Sequence, residues 1–184
     1  MKRGFYKTKY ELLSTPLNEI IDNFLYMNAK AIGQSVRDLI VNKNYTLEDI
    51  KERNIKIGPL VQGEAYFHEK DEYYDVIGLL VKSEFEFNGI RTINYGFRSL
   101  YLGKCDKSAP VDFDDGYSLE PEGTFGNGFG DYVEIHDEIK SQNEVDKCIK
   151  DNNIDINKYL KESGLLLLEK NNKRSKKSYS QMEV

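Results

Sequence analysis

Phe85-Glu86-Phe87-Asn88-Gly89-Ile90-Arg91-Thr92-Ile93 carries the strongest local signal in the chain. Apolar or β-branched side chains alternate with polar ones on both sides of Asn88-Gly89, and Asn-Gly readily takes the positive φ angles of a two-residue turn. A β-hairpin is predicted there. Upstream, Val61, Ala65 and Phe67 and then Val76 to Val81 form strand-like runs, and downstream Ser99 to Leu102 and Tyr132 to Ile135 do the same. The gaps are too short for helical crossovers, so the sheet is expected to be mainly antiparallel. Between the last two strands, Asp112 to Asp131 reads as a long loop rich in Gly, Asp, Glu and Pro.

The ends of the chain change period. Ser14-Thr15-Pro16 offers a cap and a first-turn proline, and Leu17, Ile20, Ile21, Phe24 and Leu25 then recur at helical spacing, which predicts a helix over 16–31. Val36, Leu39 and Ile40 continue the stripe. Thr46-Leu47-Glu48-Asp49 has capping spacing and predicts a short helix over 47–53, so everything before Gly58-Pro59 reads as helical. Ser141-Gln142-Asn143-Glu144 is a second capping box, followed by Val145, Cys148 and Ile149, and Asp155 can cap a last helix closed by Gly164. The expected fold is α+β: one domain over 1–169 (helical 1–58, β-rich and acidic 59–140, helical 141–169), with a basic tail over 170–184.

A chain of 184 residues with 39% hydrophobic residues, 13 Tyr and 9 Phe has enough apolar area for one self-sufficient core. The basic start, Met1-Lys2-Arg3, is followed by no continuous apolar stretch of the kind a signal peptide or membrane span needs. Cys105 and Cys148 stand apart from each other and from any metal-ligand spacing, which predicts reduced thiols and a cytoplasmic setting. Abundant Lys, Asn, Ile and Tyr without Trp hints at an AT-rich coding source such as a low-GC bacterium or its phage.

The net charge of −5 conceals a block structure. Residues 1–62 hold 10 Lys/Arg against 7 Asp/Glu, residues 63–146 hold 7 against 19, and residues 147–184 hold 9 against 5. An acidic centre thus lies between two mildly basic ends, an asymmetry that bears on partners rather than on fold.

Catalytic and cofactor motifs are not legible. Asp112-Phe113-Asp114-Asp115-Gly116 with Glu122 resembles a calcium loop in composition, but aligning Gly116 and Glu122 puts Val111 and Phe113 at ligand positions. The glycine series from Gly123 to Gly130 ends in Asp131 and lacks the Lys or Arg of a phosphate cradle; its Phe125 and Phe129 are expected to pack on the body or on a partner. His68 and His136, on predicted strands beside acids, have the neighbours of a general base but no nucleophile in a motif. A carboxylate- or metal-dependent hydrolase remains a second alternative, since two acids can meet in space from anywhere in the chain.

Two binding readings follow from charge. Glu69, Asp71, Glu72 and Asp75, with Asp112, Asp114, Asp115, Glu120 and Glu122 of the loop, can present carboxylates where a nucleic-acid-binding protein expects phosphates, with Tyr66, Tyr73, Tyr74 and Tyr117 as aromatic anchors. The alternative is direct DNA or RNA binding through Arg91, Tyr95, Arg98 and Tyr101 on the strands and Lys173, Arg174, Lys176 and Lys177 in the tail. The acidic centre disfavours the second. A lone, acidic, Tyr-rich domain without a catalytic signature is similar, at the level of class, to phage and mobile-element accessory proteins that inhibit host nucleic-acid enzymes, anti-CRISPR proteins among them. A non-enzymatic inhibitor of a basic, nucleic-acid-handling protein, with no cofactor, is the reading this supports.

Overall fold

The computed structural model describes residues 2–27, 50–87, 89–103, 117–119, 123–126, 130–156 and 158. Among them six strands pair in chain order: β1 (Ile50–Phe67), β2 (Glu72–Phe87), β3 (Ile90–Leu102), β4 (Tyr117–Leu119), β5 (Phe125–Gly126) and β6 (Tyr132–Lys140). β6 returns to β1, so the sheet curls into a closed barrel, and every strand pairing is antiparallel. Helices are α1 (Lys9–Leu13), α2 (residues 17–27) and α3 (Gln142–Asp151). The class is mixed α+β around an antiparallel sheet, as the alternation of the central segment requires.

The hairpin stands where the sequence places it. Phe87 pairs with Ile90 across the turn, and Gly89 has φ +83°, a conformation that costs glycine nothing because it has no Cβ. Asn88 lies outside the described residues.

β1 begins earlier than the sequence suggests. Residues 50–58, read as the end of the helical segment, are strand, and Gly58-Pro59 is a bulge inside β1 rather than a boundary before it: the β1–β2 register shifts between Ile57 and Leu60. Proline has no N–H to give a ladder, so the strand accommodates it by stepping out of register. The capping spacing at Thr46 to Asp49 is a local signal, and pairing of Asn54, Ile55 and Lys56 with β2 overrides its continuation into residues 50–53.

Strand alternation divides the apolar residues into two cores. Inside the barrel, Val61, Ala65, Phe67, Tyr74, Val76, Phe97, Phe125 and Val133 pack together. On its outer face, Ile57, Leu60, Ile77, Leu79, Val81 and Leu100 are covered by Leu12 of α1, Ile20, Ile21, Phe24 and Leu25 of α2, and Val145 of α3. The helical stripe at Leu17 to Leu25 is therefore the outer core's lid. Ser141 and Glu144 close the capping box of α3 reciprocally, with Ser141 Oγ accepting the Glu144 N–H and the Glu144 carboxylate accepting the Ser141 N–H at 2.8 Å. Asp155 accepts the Lys158 N–H at 3.1 Å, and the rest of that expected helix lies outside the described residues.

The amino-terminal strap is latched by Asn23, which is fully buried in α2 and exchanges two hydrogen bonds with the backbone of Gly4. Tyr6 then adds an isolated bridge to Tyr101 at the edge of β3. Its ring is buried, and its hydroxyl has no hydrogen-bond partner among the described residues.

Candidate functional site

Among the described residues, the three helices cover only part of the barrel's outer face and leave it uncovered toward the β1–β2 turn. The register of β2, β1 and β6 sets two rows of side chains across that end. Tyr66 lies opposite Tyr73 on β2 and opposite Tyr132 on β6; two residues earlier on β1, Glu64 lies opposite Asp75 and opposite Glu134. A row of three tyrosines thus adjoins a row of three carboxylates.

The tyrosine row is a packed unit. The Tyr66 ring is 4.9 Å from that of Tyr73 and 5.2 Å from that of Tyr132, both tilted, within the range of favourable aromatic pairs. Tyr66 donates its hydroxyl to Asp71 at 2.7 Å, and the hydroxyls of Tyr73 and Tyr132 are 3.5 Å apart. The bond to Asp71 holds the Tyr66 phenol above its ordinary range, and Tyr73 pushes that of Tyr132 up to about 12. Tyr73 remains 52% exposed, so the row is an edge that a partner can cover.

The carboxylate row is under-neutralised. Lys9 of α1 reaches Asp75 at 3.5 Å, and His136 stands 4.0 Å from Glu134. Glu64, between them, has no ion-pair partner among the described residues. Like charges directly opposite across a ladder destabilise a sheet. The fold therefore carries an internal repulsion on its open face.

Sequence reasoning found part of this face. Tyr73, Asp71 and Asp75 belong to it, and Glu69 is exposed on the adjoining turn. Tyr74 does not: one step along the strand from Tyr73, it turns into the barrel, is 6% exposed, and donates its hydroxyl to Glu72 at the barrel rim. Asp112, Asp114, Asp115, Glu120 and Glu122 lie outside the described residues, as does the side chain of Tyr117. Tyr66, expected as an aromatic anchor, belongs to this face as well, whereas Glu64, Tyr132 and Glu134 were missed as site residues. Their signal was the spacing of two in Glu64/Tyr66 and in Tyr132/Glu134, which puts each pair on one strand face.

His68, expected on a strand, occupies the turn after β1. The Asp131 carboxylate stands 2.9 Å from its Nδ1 and accepts its backbone N–H at 3.0 Å. This ties the β1–β2 turn to the start of β6. An imidazole oriented by a carboxylate is half of a general-base arrangement; the other half would be a nucleophile on the second ring nitrogen. No group of three His, Cys, Asp or Glu among the described residues has the geometry to hold a metal ion.

The residues of the nucleic-acid alternative do not share a surface. Arg91 and Tyr95, opposite Glu86 and Lys82, continue the barrel's inner face, whereas Arg98 and Tyr101, opposite Leu79 and Ile77, stand on the outer one. Arg91 bonds Glu84 at 2.6 Å, and Tyr101 packs against the outer core. The tail residues Lys173, Arg174, Lys176 and Lys177 lie outside the described residues.

Protein-family models, curated proteins and solved structures were compared with the chain. None of them matches it. Among the described residues no helix is long and apolar enough to cross a membrane.

Proposed function

We propose that the protein is a non-enzymatic binder whose tyrosine-and-carboxylate face docks on a basic surface of a nucleic-acid-handling protein and blocks it, in the manner of the inhibitors carried by phages and mobile elements. The observation that supports this is the pairing of the two rows. Asp75, Glu64 and Glu134 supply negative charge spaced along a ladder, and Tyr73, Tyr66 and Tyr132 supply rigid aromatic area beside it. Complementary charge steers encounter, and desolvated aromatic anchors supply most of the interface energy. Asp71, Glu69 and Glu72 extend the negative charge at the turn, and Asp112, Asp114, Asp115, Glu120 and Glu122 belong to the same acidic segment of the chain.

A surface kept in self-repulsion is explained by a function that uses the repulsion. A basic partner relieves it on binding. Affinity capture from a low-GC bacterial lysate with wild-type protein and with the Glu64→Lys/Glu134→Lys variant tests the proposal. The expected result is a nucleic-acid-binding protein retained by the wild type, released by salt and lost with the variant. Equal retention by both would remove the carboxylate row from the interface.

A further inference from the structure

β1, β2 and β3 run on beyond the barrel as a three-stranded ribbon, and at the point of departure the inner face changes character. Below it are Leu80 and Phe97; above it Lys56, Lys82 and Tyr95 form one cross-strand row, with Lys56 opposite Lys82 and Lys82 opposite Tyr95. A cavity of about 420 Å³ opens here, lined by that row, by Pro59, Leu80 and the buried ring of Phe125, and by Gln142 at the start of α3. Its volume falls in the range of small-molecule sites, and the mouth of a β-barrel is a common place for one.

The polar groups of the cavity have a pattern. Gln142 is already engaged, donating to the carbonyl of Ile57 and to Asp146, both at 2.9 Å. The two lysines are the adaptable groups. Lys56 is 3.8 Å from Asp146, a long ion pair, and Lys82 is 2.8 Å from Glu84 with its ammonium 5.8 Å from the centre of the Tyr95 ring. Both side chains are part-exposed, so neither ammonium has lost its water. The two lysines stand opposite each other across the ladder, each held by a single carboxylate, so an anion between them can take a charge-assisted hydrogen bond from both. Tyr95, 46% exposed, and the Leu80, Pro59 and Phe125 wall leave apolar surface directly beneath.

We propose that the barrel mouth binds a small molecule with one anionic head and a flat apolar body. The head, a carboxylate, sulfonate or phosphate ester, bridges Lys56 and Lys82. The body lies between the Tyr95 ring and the Leu80–Phe125 wall. This site is distinct from the tyrosine-and-carboxylate face, which lies on the outside of the barrel toward its other end, and it stands whether or not that face binds a protein.

The test uses the full chain and two probes of like shape, anilinonaphthalene sulfonate and uncharged N-phenylnaphthylamine. The expected result is one sulfonate site, with amide shifts on binding concentrated at Gly58, Gly96 and Gln142, and affinity reduced by about tenfold or more in the Lys56→Gln/Lys82→Gln variant. The uncharged probe should bind wild type more weakly and be indifferent to the lysine substitutions, and Lys56→Arg/Lys82→Arg should keep most of the sulfonate affinity. Sulfonate binding that is absent, spread over the surface or unchanged in the glutamine variant would overturn the assignment. Equal affinity of wild type for the two probes would overturn it as well, without requiring any variant to fold.

Discussion

Tyr132 gives the tyrosine row a spectroscopic handle. Its phenol is pushed up to about 12 chiefly by the hydroxyl of Tyr73. A folded-state value above that of a free phenol means the folded protein holds the proton more tightly, so this contribution to stability is complete below pH about 10 and is lost as pH climbs through the folded value. Tyrosinate absorbance should accordingly show Tyr132 among the phenols that titrate late, and Tyr73→Phe should bring it back toward the ordinary range. An unchanged titration in that variant would mean that the two hydroxyls do not interact. Tyr6 makes a different point: its hydroxyl is buried with no well-formed hydrogen bond among the described residues, so Tyr6→Phe should raise stability, by up to about 1 kcal/mol, in chemical denaturation. A loss of stability would reveal a bond to the hydroxyl. At this scale the sequence was only half legible. Tyr73 and Tyr74 are indistinguishable by composition, and only strand parity sends one outward and the other into the barrel.

The strands themselves were readable wherever β-branched and aromatic residues alternate around turn residues, as at Val76 to Val81 and around Asn88-Gly89. Their lengths were not. β1 crosses Gly58-Pro59, a sequence break by every local rule, because a bulge lets the ladder resume two residues later. The same strand approaches β6 so closely at Gly63 that a Cβ there would overlap the carbonyl oxygen of Glu134. Gly63→Ala should therefore cost about 1–3 kcal/mol, the usual range for overpacking, read as a lower denaturation midpoint. Glu64 of β1 also belongs to the proposed interface. Removing the central charge of the carboxylate row by Glu64→Gln should stabilise the fold, by roughly 0.2–1 kcal/mol, while weakening the proposed interaction. That opposition is the signature of a charge kept for binding; destabilisation by Glu64→Gln would show that the carboxylate is part of the fold's own support.

Across the whole molecule the acidic segment was visible from composition, but its geometry was not. Charge counts place 19 acids between residues 63 and 146 without saying which share a surface. The barrel does this through register: closure by β6 against β1 brings Tyr132 and Glu134 beside Tyr66 and Glu64, almost seventy positions away in the chain. Among the described residues, α1, α2 and α3 place their apolar stripes on the end near Ile57 and Leu79 and leave the tyrosine and carboxylate rows uncovered. Because the open face is charged and solvent-exposed, association through it should slow steeply as salt shortens the reach of its field.

The most direct measurement is competition for DNA on the protein that the face captures. That protein's occupancy on a labelled duplex should fall as wild-type chain is added, and Glu64→Lys/Glu134→Lys should need at least about tenfold more to reach the same displacement. Displacement that is equal for wild type and variant, or a captured protein that keeps its DNA while bound to the wild type, would contradict the account.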